Sequence, residues 1–147
     1  MLINYSKCNE CNKFITYEIY KWCQPCYSKH FQNNFEKWTS KDDEIDKILQ
    51  KVQLDADSSN KVMEWIPYNR LLVREKIGEG GFGTIYLANW LDGQIYNWNI
   101  EYQKWNRQTY QQVALKILKN SSNSSNLSFN LLKEVSLLLK FILSIII

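Results

Sequence analysis

Glycine is concentrated in one short window of this chain. The sequence contains only five glycines, and four of them are Gly78, Gly80, Gly81 and Gly83. Glycine allows positive φ and lets the backbone approach a ligand where a Cβ would intervene. Such clusters commonly present backbone N–H groups to phosphate. The window therefore predicts a tight turn whose backbone binds an anion.

The residues around the window distinguish between the folds that use Gly-x-Gly-x-x-Gly. A Rossmann turn continues into a helix, and a P-loop has Lys directly after the last glycine. This chain has Thr84 at that position. Residues 71–77 and 84–87 are rich in the apolar and β-branched side chains that suit strands. The sequence therefore predicts a β-hairpin that carries the glycines at its turn.

A second apolar segment contains a lysine. Residues 113–118 read Val-Ala-Leu-Lys-Ile-Leu, so positions 113, 115 and 117 share one face of a strand and positions 114, 116 and 118 share the other. The first face is predicted to pack on a core. Lys116 is predicted to point into a cleft, beside the small Ala114.

A helix with an acidic residue on its apolar side is predicted at residues 127–140. Its helical spacing is carried by Leu131, Val135, Leu138 and Ile142. Glu134 lies between these apolar positions, and a carboxylate there costs free energy unless it is paired. Lys116 is its predicted partner.

In this order, the motifs resemble the N-terminal lobe of a protein kinase across residues 71–139. The glycine window resembles the glycine-rich loop, through Gly78, Gly80 and Gly83 followed by Ile85 where the family usually has Val. Residues 113–116 resemble the Val-Ala-Ile-Lys strand, and Glu134 matches the helix-C glutamate. The resemblance predicts an α+β fold, in which an antiparallel twisted sheet and helix C form a truncated kinase lobe at residues 71–147.

The resemblance also implies a function, ATP-dependent phosphoryl transfer to protein hydroxyls with Mg²⁺. Lys116 would hold the α and β phosphates, Glu134 would orient Lys116 as its catalytic ion pair, and the glycine backbone would cover the phosphates. The nucleotide-binding residues implied are Ile77, Gly78, Glu79, Gly80, Gly81, Phe82, Gly83, Ile85, Ala114 and Lys116.

The remaining kinase motifs do not occur in the sequence. It contains no His-Arg-Asp loop, no Asp-Phe-Gly and no Ala-Pro-Glu, which supply the catalytic base and both magnesium ligands. Asp92-Gly93 is no substitute, because no Phe separates the two residues. The 147 residues are therefore expected to be a fragment that is inactive alone, and its choice between Ser/Thr and Tyr substrates is not encoded here.

Four cysteines form two Cys-x2-Cys pairs separated by eleven residues: Cys8, Cys11, Cys23 and Cys26. Because no signal-like apolar segment precedes them, a cytoplasmic, reducing compartment is expected, where such cysteines bind metal more often than they form disulfides. Two small knuckles would complete a tetrahedron around a structural zinc ion. The alternatives are a reduced pair of turns and a redox dithiol.

The metal ligands lie in a segment rich in aromatic residues. Residues 1–38 contain nine aromatic side chains, which predicts a zinc-ribbon-like module whose surface binds a partner or docks on the kinase lobe. His30, the only histidine, is either a replacement ligand or a polar residue on an aromatic helix with Phe31, Phe35 and Trp38.

An amphipathic helix is predicted at residues 39–57, followed by an extended lead-in at 58–70. Its apolar face comprises Ile45, Ile48, Leu49 and Val52. Thr39 or Ser40 is the predicted N-cap, and acidic residues follow in the first turn. The helix links the zinc module to the kinase-like segment.

Residues 88–112 form an insertion between the glycine window and the lysine strand. Asp92-Gly93 predicts a hairpin turn, followed by a half-buried strand that carries Tyr96, Trp98, Ile100 and Tyr102. Trp90 and Trp105 are predicted to cover it. The insertion docks either on the zinc segment or on another protein.

Composition and charge exclude several other classes. A hydrophobic content of 45% and an aromatic content of 14% are those of a folded protein. The net charge is only +3, and the sequence has no dense basic stripe of the kind that binds nucleic acids. The apolar tail at 141–147 is too short to span a bilayer and is either a fourth strand or an irregular end. Expected partners are ATP and a protein; the alternative function is a non-catalytic zinc-ribbon adaptor.

Overall fold

The computed structural model describes residues 6–15, 21–81 and 83–118, and the backbone of 144–146. The fold is α+β, and the chain forms two compact units. The first unit comprises Met1–Glu64 and Gln94–Gln108, and the second comprises Trp65–Gly93 and Thr109–Ile147. A segment of the predicted insertion therefore belongs to the cysteine-containing unit, although residues of the second unit flank it on both sides.

The described residues contain two α-helices and six strands. The helices, both in the first unit, are α1 (Gln24–Gln32) and α2 (Asp43–Asp55). The strands are β1 (Leu71–Gly80), β2 (Gly83–Trp90), β3 (Gln94–Asn99), β4 (Lys104–Gln108), β5 (Gln111–Leu118) and β6 (Ser144–Ile146). None of the helices in the described part of the chain has the length and apolar character needed to cross a bilayer.

The linking helix α2 is shorter than predicted, and its N-cap is Asp42 instead of Thr39 or Ser40. The Asp42 carboxylate accepts hydrogen bonds from the backbone N–H groups of Glu44 (2.9 Å) and Ile45 (3.1 Å). The Thr39 and Ser40 hydroxyls donate to the Asp46 side chain instead. The predicted apolar face is confirmed, with Ile45 and Leu49 buried and Ile48 and Val52 half-buried.

Replacing Asp42 with alanine is expected to lower the free energy of unfolding by about 1 kcal/mol. The loss follows because two N–H groups in the first turn lose their acceptor. Urea denaturation measures it, with Asp43→Ala as the matched control, since Asp43 is exposed and does not cap the helix. An equal loss in both variants would contradict the capping role of Asp42.

The second unit is built on a four-stranded sheet in the order β1-β2-β5-β6. β1 and β2 form the predicted hairpin, with Gly80 paired to Gly83 beside the turn. β5 is antiparallel to β2 over its whole length. The tail contributes the fourth strand, which is one of its two predicted outcomes, but β6 runs parallel to β5, so the sheet is not entirely antiparallel as expected.

The face of β5 that was predicted to pack on a core does so at two of its three positions. Val113 and Leu115 are 5% and 0% exposed and pack with Leu71, Ala88 and Trp90. Ile117, by contrast, is 44% exposed. It pairs with Thr84 beside the glycine turn, at the end of the sheet away from this core.

The insertion differs from its prediction in the position of its turn. β3 pairs with β4, and residues 100–103 form the turn between them. Asp92-Gly93 instead follows β2 in a bend, and β2 is not paired with β3. The Asp92 carboxylate accepts two hydrogen bonds from the Arg70 guanidinium, at 2.9 and 2.7 Å, within the second unit.

The aromatic residues of the insertion are also distributed differently. Trp105 is paired with Trp98 across the β3–β4 hairpin. Its ring packs edge-to-face on the Trp98 ring, with centroids 5.0 Å apart, and so covers part of the strand. Trp90 instead lies in the core of the second unit. Tyr96 and Tyr102 are exposed, because a bulge between Ile95 and Asn97 interrupts the alternation and Tyr102 lies in the turn.

Candidate functional site

The four cysteine sulfur atoms converge at one point of the first unit. The Sγ atoms of Cys8, Cys11, Cys23 and Cys26 all lie within 4.8 Å of one another. The Sγ of Cys8 is 3.8 Å from that of Cys26, and the Sγ of Cys11 is 3.7 Å from that of Cys23. Four thiolates about 2.3 Å from a zinc ion stand about 3.8 Å apart at the corners of a tetrahedron. The arrangement can hold a metal ion such as zinc.

The first cysteine pair lies in a knuckle, as predicted. Cys8 N donates to the carbonyl oxygen of Lys13, and Asn12 N donates to that of Cys8, both at 2.8 Å. Glu10 N points at the Cys8 sulfur, 3.4 Å away. Asn12 has a φ of 57°, a left-handed conformation that asparagine adopts more readily than most residues. The turn directs both sulfurs to the same side.

The second pair begins a helix and does not form the second knuckle of a ribbon. Cys23 is the N-cap of α1, and Tyr27 N donates to its carbonyl oxygen at 2.9 Å. Cys26 lies in the first turn, after Pro25, whose missing N–H costs nothing at this end of a helix. The helix N-terminus stabilises negative charge and therefore favours the thiolate form.

Burial opposes ionisation of two of the thiols. It raises the pKa of Cys23 to about 11 and raises the pKa of Cys26 further. In contrast, a hydrogen bond from the backbone of Lys13 lowers the pKa of Cys11 to about 7. A bound cation deprotonates coordinating thiols, so a divalent metal supplies the positive charge that buried thiolates require. All four cysteines are free.

His30 does not contact the sulfur cluster through its ring nitrogen. Its Nε2 donates to Glu10 Oε2 at 2.7 Å, and its ring stacks on Trp98 with centroids 3.8 Å apart. The interpretation of His30 as a polar residue on a helix is confirmed, since it lies on α1 next to the buried Phe31. The predicted aromatic helix is shorter than expected, because α1 ends at Gln32, Phe35 belongs to a separate 3-10 helix and Trp38 follows that helix.

An aromatic cluster surrounds the cysteines and includes the β3–β4 hairpin. Trp22 is fully buried, and its Nε1 donates to the carbonyl oxygen of Ala56 at 2.9 Å. The Trp105 ring lies 4.5 Å from that of Phe31 and 5.3 Å from that of Tyr27, measured between centroids. The hairpin therefore packs on the cysteine-containing segment, which is one of the two predicted alternatives.

Glu64 and Arg107 form an ion pair within the first unit that the sequence did not predict. The Glu64 carboxylate accepts from Arg107 Nη2 at 2.6 Å and from Ile95 N at 3.2 Å. Glu64 is only 11% exposed at its side chain. No spacing rule identifies this pair, because 43 positions separate its members.

The glycines of the window have different structural roles. A Cβ at Gly83 would lie 2.3 Å from the carbonyl oxygen of Ile117, so the β2–β5 pairing requires glycine there. A Cβ at Gly80 or Gly81 would meet no atom within 4 Å. Of the five glycines, all of which are described, only Gly93 has positive φ. Positive φ is therefore not the reason for glycine in the window.

The other predicted nucleotide-binding residues lie along the same strands. Lys116 is half-buried and pairs with Ile85 across β5 and β2. Ile77 and Ala114 are exposed, and the Glu79 carboxylate accepts from the Lys76 ammonium. Phe82, Glu134 and the predicted helix at 127–140 lie outside the described residues, so the pairing of Lys116 with Glu134 stays a prediction.

Comparisons of the chain with protein-family models, with curated proteins and with solved structures found no match.

Proposed function

We propose that this chain combines a zinc-stabilised module with the ATP-phosphate-binding part of a protein kinase. The observation that carries the nucleotide proposal is the position of the glycine turn. It closes a hairpin whose second strand, β2, pairs directly with the strand that bears Lys116. A flexible backbone and an ammonium group on adjacent strands match the two contacts that ATP phosphates need.

The two glycines at the turn support this proposal. Neither steric crowding nor positive φ explains glycine at positions 80 and 81, and glycine in a strand or turn carries an entropic cost. Close approach of the backbone to a ligand is a physical reason that fits these residues. In the proposal, the N–H groups around Gly80 and Gly81 cover the phosphates.

Lys116 would hold the α and β phosphates, and Glu134 would orient it. Ile85 on β2 and Ala114 on β5 offer apolar surface on two adjacent strands. Mg²⁺ would arrive with ATP, since the kinase motifs that ligate it do not occur in the sequence. The proposed role of these residues is therefore to bind Mg-ATP weakly, as part of a phosphotransferase, without transferring the phosphoryl group.

Mg-ATP is expected to raise the melting temperature of the chain by several degrees, and Lys116→Ala is expected to remove that shift. A ligand at ten times its dissociation constant adds about 1.4 kcal/mol of stability. Differential scanning fluorimetry with millimolar Mg-ATP measures the shift, with each variant compared to its own ligand-free sample. Lys104→Ala is the matched control, because Lys104 is an exposed lysine of the first unit.

Retention of the shift in Lys116→Ala would show that the lysine is not the phosphate ligand. No shift in the parent chain would overturn the nucleotide proposal. That second result would favour the other candidate function, a non-catalytic adaptor. The exposed side chains of Tyr96, Ile100 and Tyr102 on the β3–β4 hairpin favour this candidate, because exposed aromatic residues commonly bind protein partners.

The metal in the first unit is proposed to be one structural zinc ion. Tetrahedral sulfur spacing and a four-thiol ligand set are typical of zinc. Because four protein ligands leave no open position for water or substrate, the ion would stabilise the fold and would not take part in a reaction. Elemental analysis of the purified chain tests this part of the proposal.

A further inference from the structure

We infer that metal loading of the four-cysteine centre governs the stability of the β2–β5 pairing, through the β3–β4 hairpin that connects these two strands. The inference rests on the proposed zinc ion. It adds a regulatory role for the metal. The metal would bind in the first unit and would act on the sheet of the second unit, which carries the glycine turn and Lys116.

The first step is that one helix serves both the metal and the hairpin. Cys23 and Cys26 occupy the N-terminal end of α1. The Tyr27 hydroxyl, on the same helix, accepts a hydrogen bond from Trp98 N at 3.2 Å, and the His30 ring stacks on Trp98. Metal ligation that orders the start of α1 therefore also orders the surface on which β3 lies.

The second step is that the hairpin and the cysteines share one core. Three of the cysteines are buried in the same cluster as Trp22, Phe31 and Ile95, and the side chains of Trp98 and Trp105 pack against it. Ile95 and Trp105 come from the two strands of the hairpin. Without the metal, the four cysteines are no longer linked to one another through a bound ion. The cluster that they share with the hairpin is then less ordered, so the hairpin loses the packing that holds it.

Polar contacts bind the open end of the hairpin to the rest of the first unit. Glu64 accepts from Ile95 N on β3 and from Arg107 on β4. Gln94 Nε2 donates to the carbonyl oxygen of Ser59 at 2.8 Å. These residues lie in the first two pairs of the hairpin ladder, where Gln94 opposes Gln108 and Ile95 opposes Arg107.

The third step is the connection to the sheet. β2 ends at Trp90 and β5 begins at Gln111, and these two residues are paired. The chain between them, residues 91–110, contains the hairpin, whose own ends are also paired. A folded hairpin therefore holds the ends of β2 and β5 close together. An unfolded one is a flexible loop, whose closure costs an entropy that grows with the logarithm of its length.

Linkage makes the coupling reciprocal. If zinc stabilises the folded hairpin by some factor, folding of the hairpin strengthens zinc binding by the same factor, and a variant that unfolds the hairpin loses up to that factor in zinc affinity. For a loop of this length, the closure term changes the stability of the β2–β5 pairing by a factor on the order of tenfold to a hundredfold. A tenfold change is large enough to measure, both as a change in zinc affinity and as a change in the stability of the strand pairing.

The experiment measures zinc affinity and hydrogen exchange on the full chain. Zinc affinity is determined by competition with a chromophoric chelator for the parent chain, Trp105→Ala and Tyr102→Ala. Trp105→Ala is expected to weaken zinc binding at least tenfold. Tyr102→Ala, which removes an exposed aromatic side chain from the same hairpin, is expected to leave it unchanged.

Glu64→Gln provides a milder variant in case Trp105→Ala does not fold. It is expected to weaken zinc binding about threefold, because it removes the charge that binds Arg107 and leaves all the cysteines in place. Hydrogen exchange followed by mass spectrometry is expected to show faster exchange in 94–108 and in both 83–90 and 111–118 when zinc is removed from the parent chain.

The outcomes separate the inference from the proposal on which it rests. One zinc per chain, with parent-like affinity in both Trp105→Ala and Glu64→Gln, would overturn the coupling and leave the metal centre intact. Unchanged exchange in 83–90 and 111–118 after zinc removal would likewise overturn it. A parent chain that binds no zinc would overturn both the coupling and the metal centre.

Discussion

Replacing Cys23 with serine is expected to abolish zinc binding and to unfold the first unit. Structural zinc contributes about 10–16 kcal/mol of apparent binding free energy in zinc-finger peptides, and whole domains are stable by only about 5–15 kcal/mol. Cys23 is buried in the cluster that contains Trp22 and Trp105. Loss of this ligand therefore removes a contribution as large as the stability of the unit itself.

Two measurements check this prediction. Elemental analysis is expected to fall from one zinc per chain to nearly zero. Tryptophan fluorescence is expected to move to longer wavelength as the aromatic cluster of Trp22, Trp98 and Trp105 becomes solvated. A strong zinc chelator added to the parent chain should give the same spectrum as the variant.

His30→Ala is the control for the identity of the ligands. It removes the stacking on Trp98 and the contact with Glu10, but it is expected to retain one zinc per chain because all four sulfur ligands remain. A parent chain that is folded and nearly free of zinc would contradict the structural role of the metal. Loss of zinc in His30→Ala would show that the histidine participates in binding.

Gly83→Ala is expected to lower the free energy of unfolding of the second unit by about 3 kcal/mol. Its Cβ would lie 2.3 Å from the carbonyl oxygen of Ile117, which belongs to the neighbouring backbone. Strand β5 cannot move away from this methyl group without breaking the hydrogen bonds it shares with β2. Urea denaturation, followed by circular dichroism, measures the loss.

Gly81→Ala is the matched control for stability and a test of the nucleotide proposal. No atom lies within 4 Å of its Cβ position, so its free energy of unfolding is expected to change by less than about 0.5 kcal/mol. The Mg-ATP shift in melting temperature is expected to shrink, because the methyl group stands where the phosphates would approach. Equal stability losses in Gly81→Ala and Gly83→Ala would contradict the steric argument. An unchanged shift in Gly81→Ala would count against phosphate binding at the turn.

The sequence was most informative where a pattern acts over a few residues. The glycine window and its flanking strand-forming residues predicted the β1–β2 hairpin, because turn and strand propensities are local. The spacing of the cysteines predicted their convergence for a similar reason, since a Cys-x2-Cys pair brings its two sulfurs together by itself. The apolar spacing of α2 likewise predicted its buried face.

Predictions failed where local signals competed with each other. Asp42, Thr39 and Ser40 are all good N-caps; Asp42 caps the helix, while the Thr39 and Ser40 hydroxyls donate to the Asp46 side chain. Asp92-Gly93 has the composition of a hairpin turn, but it lies in a bend in which Asp92 is bound by Arg70, and the hairpin turn forms at residues 100–103. The second cysteine pair was expected in a knuckle, yet the residues after it continue as α1.

Sequence alone determined which residues this protein can use: four thiols at metal-binding spacing, a glycine turn between two strands, and a lysine within an apolar segment. Tertiary structure decided how the chain divides between its two units. The segment Gln94–Gln108 belongs with the cysteines because its side chains pack and hydrogen-bond there, including Trp98 N with Tyr27, 71 positions earlier. Burial of apolar surface does not depend on separation along the chain, so contacts of this kind leave no periodic pattern to read.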